Sequence, residues 1–174
     1  MRLEGKIAVI TGAAQGLGLA MAERFMAEGA KVIGVDMQEK THDQIDFRIL
    51  NVTNSDDVKA FYESVIKDYG QIDILVNNAG ITRDAMTKKM TDEQWNLVID
   101  VNLKGVFNMT RLIGPQMNQK GSGSIINISS VVGVYGNIGQ ANYADTKAGV
   151  IGLFKLWAKE FAREVENVRV NAIA

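Results

Sequence analysis

Ile7-Ala8-Val9-Ile10-Thr11-Gly12-Ala13-Ala14-Gln15-Gly16-Leu17-Gly18 opens on four consecutive apolar residues and closes on three glycines. A short apolar run without alternation is the mark of a strand buried on both faces. Behind it, Leu17, Met21 and Phe25 recur at i, i+4 and i+8. That spacing predicts a helix from about Leu17, with Gly29 just past its end. Strand, glycine turn and helix in that order turn a glycine pattern into a phosphate-binding expectation, because the first N–H groups of the helix point at the anion. Gly12 permits the tight turn, Gly16 lets a pyrophosphate approach the backbone, and Gly18 allows the helix to pack closely on the strand. The competing reading, glycines serving only a turn, does not need three.

The same alternation continues outward. Val32–Val35, Phe47–Leu50, Ile72–Val76, Ser124–Ile128 and Val168–Ile173 read as further strands buried on both faces. A second helix is expected near Ser55, where Asp56 and Asp57 suit the positive dipole end. Thr91-Asp92-Glu93-Gln94 is a capping-box pattern that opens a long helix through Trp95, Val98, Ile99 and Leu103 toward Met117. The last helix covers roughly Tyr143 to Val165, after a glycine-rich loop from Gly133 to Gly139. Met37 to Asp46 is too short for a full helix between strands two and three. Six strands separated by helices predict an α/β fold, a doubly wound parallel sheet of the Rossmann kind in the order 3-2-1-4-5-6, within one domain over residues 1–174. Ligands of such sheets bind at the carboxyl ends of the strands where the order reverses, between strands one and four.

Composition narrows the chemistry. With 174 residues, 47% of them hydrophobic, the chain can fill one core and is short for two. Its net charge is −1 with basic residues scattered, so it has no electrostatic footprint for nucleic acid or an anionic membrane. It has no cysteine and a single histidine, His42, which removes thiolate zinc sites, disulfides and serine-histidine-acid triads, so no metal is expected. No signal sequence or membrane-length apolar stretch is visible, and a cytoplasmic protein is expected.

Candidate site residues fall where the fold predicts a site. Asp36 ends strand two, eighteen residues after Gly18, where a carboxylate can accept from ribose hydroxyls and repel a 2′-phosphate. That favours NAD over NADP, although Lys40 could fold back over the ribose; a strand-ending turn is the alternative role for Asp36. Strand four ends in Asn77-Asn78-Ala79-Gly80, small residues and amides suited either to close approach of a ribose or to local turns. Asn102 interrupts an apolar helix face, where it either bonds a neighbour or anchors water near the site. Ser129 and Ser130 end strand five. Ser130 lies thirteen positions before Tyr143, and Tyr143 and Lys147 share a helix face at i, i+4. A cation beside a phenol in the first helical turn favours the phenolate, which describes a proton-transfer site.

Together these residues resemble the short-chain dehydrogenase/reductase family over essentially the whole chain. The resemblance implies an oxidoreductase in which Gly12, Gln15, Gly16, Leu17, Gly18, Asp36, Asn51, Val52, Asn78, Ala79, Gly80, Tyr143 and Lys147 bind the nicotinamide cofactor. Ser130 hydrogen-bonds the substrate carbonyl, Tyr143 exchanges the proton, Lys147 supports the tyrosine and holds the nicotinamide ribose, and Asn102 supports a relay water. The segments Asn77–Asp84, Ser129–Gly133 and Gly139–Tyr143 look most like bacterial 3-oxoacyl-(acyl-carrier-protein) reductases. Gln15 replaces the arginine many of those carry, Asn51-Val52 replaces the commoner Asp-Val, and NADP(H) remains an alternative to NAD(H).

The resemblance also implies a Pro-Gly turn, a substrate-covering segment, another helix and a seventh strand after Ile173. None of these lies in the sequence, which is expected to be the ordered part of a longer protein. Expected partners are a small-molecule or carrier-protein-bound acyl substrate, with Lys88, Lys89, Lys120 and Arg163 as candidate basic contacts, and further copies of the chain in a homotetramer. The rival readings are an NAD-dependent 3-hydroxyacyl or secondary-alcohol dehydrogenase and a non-catalytic dinucleotide-binding protein.

Overall fold

A computed structural model describes residues 1–165 and 167–174. The strands are β1 (Ile7–Thr11), β2 (Lys31–Asp36), β3 (Asp46–Ile49), β4 (Ile74–Asn77), β5 (Gly123–Ile128) and β6 (Val168–Ile173). They form one parallel sheet in the order β3-β2-β1-β4-β5-β6, as the alternation of elements predicts. The helices are α1 (Gly16–Ala27), α2 (Ser55–Tyr69), α3 (Asp92–Ile99), α4 (Gly105–Lys120), α5 (Val132–Tyr135) and α6 (Ala141–Glu164).

Two apolar cores lie against the sheet. One joins Val9, Leu75 and Ile125 to Phe61 of α2, Ile113 of α4 and Trp157 of α6. The other joins Ala8, Ile10 and Val76 to Ala22 of α1 and to Ile45 of the β2–β3 connection. That connection carries no helix, as its length requires.

Helix starts follow the capping signals. Asn54 caps α2, its side chain accepting from Asp56 N at 3.0 Å and Asp57 N at 3.3 Å. Thr91 and Gln94 close the capping box of α3. The long helix from Thr91 is not uniform, however. A π-helical turn, Asp100–Lys104, separates α3 from α4 and holds Asn102 at its centre. Such a turn inserts extra backbone into a helix and is frequent at functional sites.

Three further expectations are corrected. β3 and β6 are not buried on both faces: no residue of β3 is fully buried, and in β6 Val168 and Val170 face inward while Arg169 and Asn171 face out. Both are outer strands of the six, and the alternating burial of β6 shows one face packed and the other open. Leu17 does not join the core face of α1 but is 72% exposed, because Gly18 and Ala22 form the contact with the sheet. The Gly133–Gly139 loop contains a single helical turn, α5, before Gly136 and Gly139 turn the chain at φ +75 and +80.

Candidate active site

Gly12 and Gly16 have φ of +66 and +57, a region that side chains with a Cβ resist. Their surroundings differ. A Cβ on Gly12 would stand 2.9 Å from Ala79 Cα, and one on Gly18 would stand 2.0 Å from Gly12 O, so these two glycines close the turn against β4 and α1. Gly16 faces open space, with nothing within 4 Å of an added Cβ. The N-terminus of α1 has neither a side-chain cap nor an acidic residue in its first turn, whereas α2 and α3 have both. Its first N–H groups are therefore available to an anion.

The two switch-point motifs are bonded to each other. Thr11 Oγ1 accepts from Asn78 N and Ala79 N, both at 3.0 Å, and Asn78 Nδ2 donates to Thr11 O and Gly12 O at 3.0 and 3.1 Å. Asn78 thus braces the glycine turn. Beside it runs a cleft of ≈ 450 Å³, walled by Gly12, Gln15, Leu17 and Gly18 on one side and by Asn78, Ala79 and Gly80 on another. Asp36, Asn51 and Val52 wall its far end.

Asp36 makes the turn read for it and also lines the cleft. Its Oδ2 accepts from Ala14 N at 3.1 Å and its Oδ1 from Gln38 N at 3.0 Å, while the carboxylate lines the cleft. Asn51 Oδ1 accepts from Thr53 N and Thr53 Oγ1 at 3.1 and 2.9 Å, so local bonds already engage this carbonyl.

Tyr143 lies in the first turn of α6, as the loop ahead of it predicts. Lys147, 4% exposed, donates from Nζ to Ile128 O at 2.7 Å and stands 5.5 Å from the centroid of the Tyr143 ring. Burial lowers its pKa from 10.5 to about 8. The strand-five serines differ in their bonding. Ser129 Oγ donates to Lys147 O at 2.8 Å and is buried, a structural bond. Ser130 Oγ accepts from Val132 N at 3.1 Å, which leaves its own O–H to donate elsewhere. Gly133 brings this turn onto α6, for a Cβ there would stand 2.6 Å from the carbonyl carbon of Lys147. Gly80 joins the cleft to this cluster: an added Cβ would lie 3.5 Å from Asn102 Oδ1 and 3.6 Å from Lys147 Nζ.

Asn102 is fully buried, and its carboxamide bonds Ile81, with a longer contact of 3.4 Å to Thr146 Oγ1. Sequence reasoning missed Asn142. It is fully buried, donates from Nδ2 to Arg83 O at 3.0 Å and Gln94 O at 3.2 Å, and accepts from Tyr143 N at 2.7 Å. Ala85 N bonds Gly139 O at 2.8 Å and Gln140 Nε2 bonds Asp84 Oδ2 at 3.0 Å, so the start of α6 is fastened to the segment after β4. The only signal was a poor helix former placed just before the tyrosine.

The basic candidates divide by position. Lys88 and Lys89 lie in a 3₁₀ turn, Thr87–Lys89, after the carboxyl end of β4. Lys120 pairs with Asp73 at the amino end of β4, opposite the cleft, and Arg163 lies in the last turn of α6. These two are removed from the site. Among the described residues, no helix is long and apolar enough to cross a membrane.

The sequence matches the short chain dehydrogenase family over residues 6–174. It is 52% identical to the 3-oxoacyl-(acyl-carrier-protein) reductase of Thermotoga maritima over 185 positions, which cover 100% of this chain and 74% of the relative. The reductase of the same name from Escherichia coli is 44% identical over 182 positions, again with 100% and 74% covered. That of Staphylococcus aureus is also 44% identical, with 97% of this chain and 73% of the relative covered. An uncapped helix start after the glycine turn, a cleft at the strand-order reversal and the Tyr143–Lys147 pair agree with the match, and the chain belongs to the short-chain dehydrogenase family.

Proposed function

We propose that the protein is a cytoplasmic 3-oxoacyl-(acyl-carrier-protein) reductase of fatty acid synthesis, with Ser130, Tyr143 and Lys147 as its catalytic residues. The observation that supports this reading is the Tyr143–Lys147 pair: Lys147 Nζ stands 5.5 Å from the Tyr143 ring and beside Gly80 of the cleft, and the turn that carries Ser130 packs on Lys147 through Gly133. Membership of the family makes it an oxidoreductase that works with a nicotinamide cofactor on a carbonyl and alcohol pair. The likeness to named reductases at 44–52% identity supports the 3-oxoacyl thioester as substrate.

The cleft fits the cofactor: Gly16 opens on space, the first N–H groups of α1 are uncapped, and Leu17 is exposed at the wall that a dinucleotide would cover. Gly12, Gln15, Gly16, Leu17 and Gly18 would hold the pyrophosphate region, Asp36 with Asn51 and Val52 the adenosine, and Asn78, Ala79, Gly80, Tyr143 and Lys147 the nicotinamide side. When bound, the nicotinamide supplies the hydride. Ser130 donates its O–H to the substrate carbonyl oxygen and stabilises the charge that develops there. Tyr143 gives its phenolic proton to that oxygen as the carbonyl carbon is reduced; in the reverse direction it takes the proton from the alcohol. Lys147, charged below pH about 8 and 5.5 Å from the Tyr143 ring, orients the tyrosine and would hold the nicotinamide ribose.

We read Asp36 as selecting NAD(H), since its carboxylate lines the ribose end and would repel a 2′-phosphate. A homotetramer is supported by an apolar hollow between α3, α4 and α6, walled by Ile99, Leu103, Phe107 and Leu153, with Phe107 and Leu156 exposed on the same helices. Rates with an acetoacetyl thioester plus NADH or NADPH, compared with a panel of secondary alcohols plus NAD, test the reading. Faster turnover of simple alcohols would assign the protein as an alcohol dehydrogenase instead.

A further inference from the structure

Two residues of α4 grip the far end of the cleft from behind. Asn108, 1% exposed, reaches the loop between β3 and α2: Nδ2 donates to Val52 O at 2.9 Å and Thr53 O at 3.4 Å. Its Oδ1 accepts from Ser55 Oγ at 3.4 Å. One turn earlier, Gly105 meets the same loop so closely that an added Cβ would stand 2.7 Å from Val52 Cγ2 and 3.2 Å from Val52 Cβ. Asn51 and Val52 wall the cleft, whereas Asn108 does not. The loop is thus held in place by backbone carbonyls bonded to a buried amide and by a contact only glycine allows.

We propose that Asn108 is a positioning residue that sets the adenine end of the dinucleotide cleft by holding the Val52–Thr53 backbone against α4. The inference rests on the cleft being a nicotinamide adenine dinucleotide site. A purely structural Asn108 would change stability and leave affinity alone, because two carbonyls would lose partners without the wall of the cleft moving. A positioning Asn108 changes affinity at the adenine end, which AMP reports without the nicotinamide.

The test is titration of NADH and of AMP into the wild type, Asn108→Ala, Gly105→Ala and Ile113→Val. Asn108→Ala releases the loop, and Gly105→Ala pushes Val52 outward while improving intrinsic helix propensity. Ile113, in the core two turns from Gly105, controls for lost stability alone. Both loop variants are expected to weaken NADH and AMP about tenfold, with Ile113→Val within twofold of the wild type. If Asn108→Ala does not fold, Gly105→Ala carries the comparison. Wild-type affinity in the loop variants, or equal weakening in Ile113→Val, overturns the proposal while leaving the cleft as a dinucleotide site. A wild type that binds neither NADH nor AMP overturns the reading of the cleft and this inference with it.

Discussion

Asn102 and Ile81 are joined by two hydrogen bonds that mimic a strand pair: Asn102 Oδ1 accepts from Ile81 N at 2.8 Å, and Asn102 Nδ2 donates to Ile81 O at 2.9 Å. A carboxamide has the same donor and acceptor as a peptide group, so it can replace one. The side chain therefore holds the segment after β4 in place. Asn102→Leu should leave both Ile81 groups without these partners, lowering stability by about 1–3 kcal/mol. Turnover should fall at least tenfold. Urea unfolding and steady-state rates check both; wild-type values in the two assays would show that the pair has no consequence.

Asp36 is tied to the glycine turn through Ala14 N as well as facing the cleft. Asp36→Ala is expected to raise the NADP(H) to NAD(H) ratio of kcat/KM at least tenfold, by removing the repulsion of a 2′-phosphate. Competing losses in the turn should affect both cofactors alike. An unchanged ratio would show that the carboxylate makes only a turn.

Lys147 has a folded-state pKa of about 8 against 10.5 for the free side chain, because of burial. Below pH about 8 the charge is present in both folded and unfolded chains, and the fold bears its desolvation in full. Between about 8 and 10.5 the unfolded chain keeps a proton that the folded chain has released, so this contribution to stability rises with pH. Lys147→Met should therefore be more stable than the wild type at pH 7, on the order of 1–3 kcal/mol, with the gap narrowing toward pH 10. Denaturation at several pH values reads the difference. A gap that widens with pH would contradict the assignment.

Asn142 fixes the first turn of α6 to Arg83 and Gln94. Its loss should misplace Tyr143 while leaving the distant adenosine end intact. Asn142→Ala is expected to lower kcat at least tenfold with the NADH dissociation constant within twofold of the wild type. Equal loss of both would point to general unfolding.

Much of this site is legible in the sequence because it depends on local spacing. Gly12, Gly16 and Gly18 declare a strand–turn–helix, and Tyr143 and Lys147 declare a shared helix face. What the sequence does not reveal depends on contacts between distant segments. Leu17 has the spacing of a core residue, yet Gly18 and Ala22 occupy the contact. The π-helical turn at Asn102 follows no propensity, and its buried amide bonds Ile81 and Thr146, both far away in the chain. Asn142, Asn108 and Lys120 are ordinary polar residues in the chain, and only the fold shows what each one faces.

The most direct test of the central claim is oxidation of NADH or NADPH on adding an acetoacetyl thioester, measured for the wild type and for Tyr143→Phe. The account predicts turnover by the wild type and a loss of at least 100-fold in Tyr143→Phe, with cofactor binding largely retained. Turnover by Tyr143→Phe within a few-fold of the wild type would contradict it.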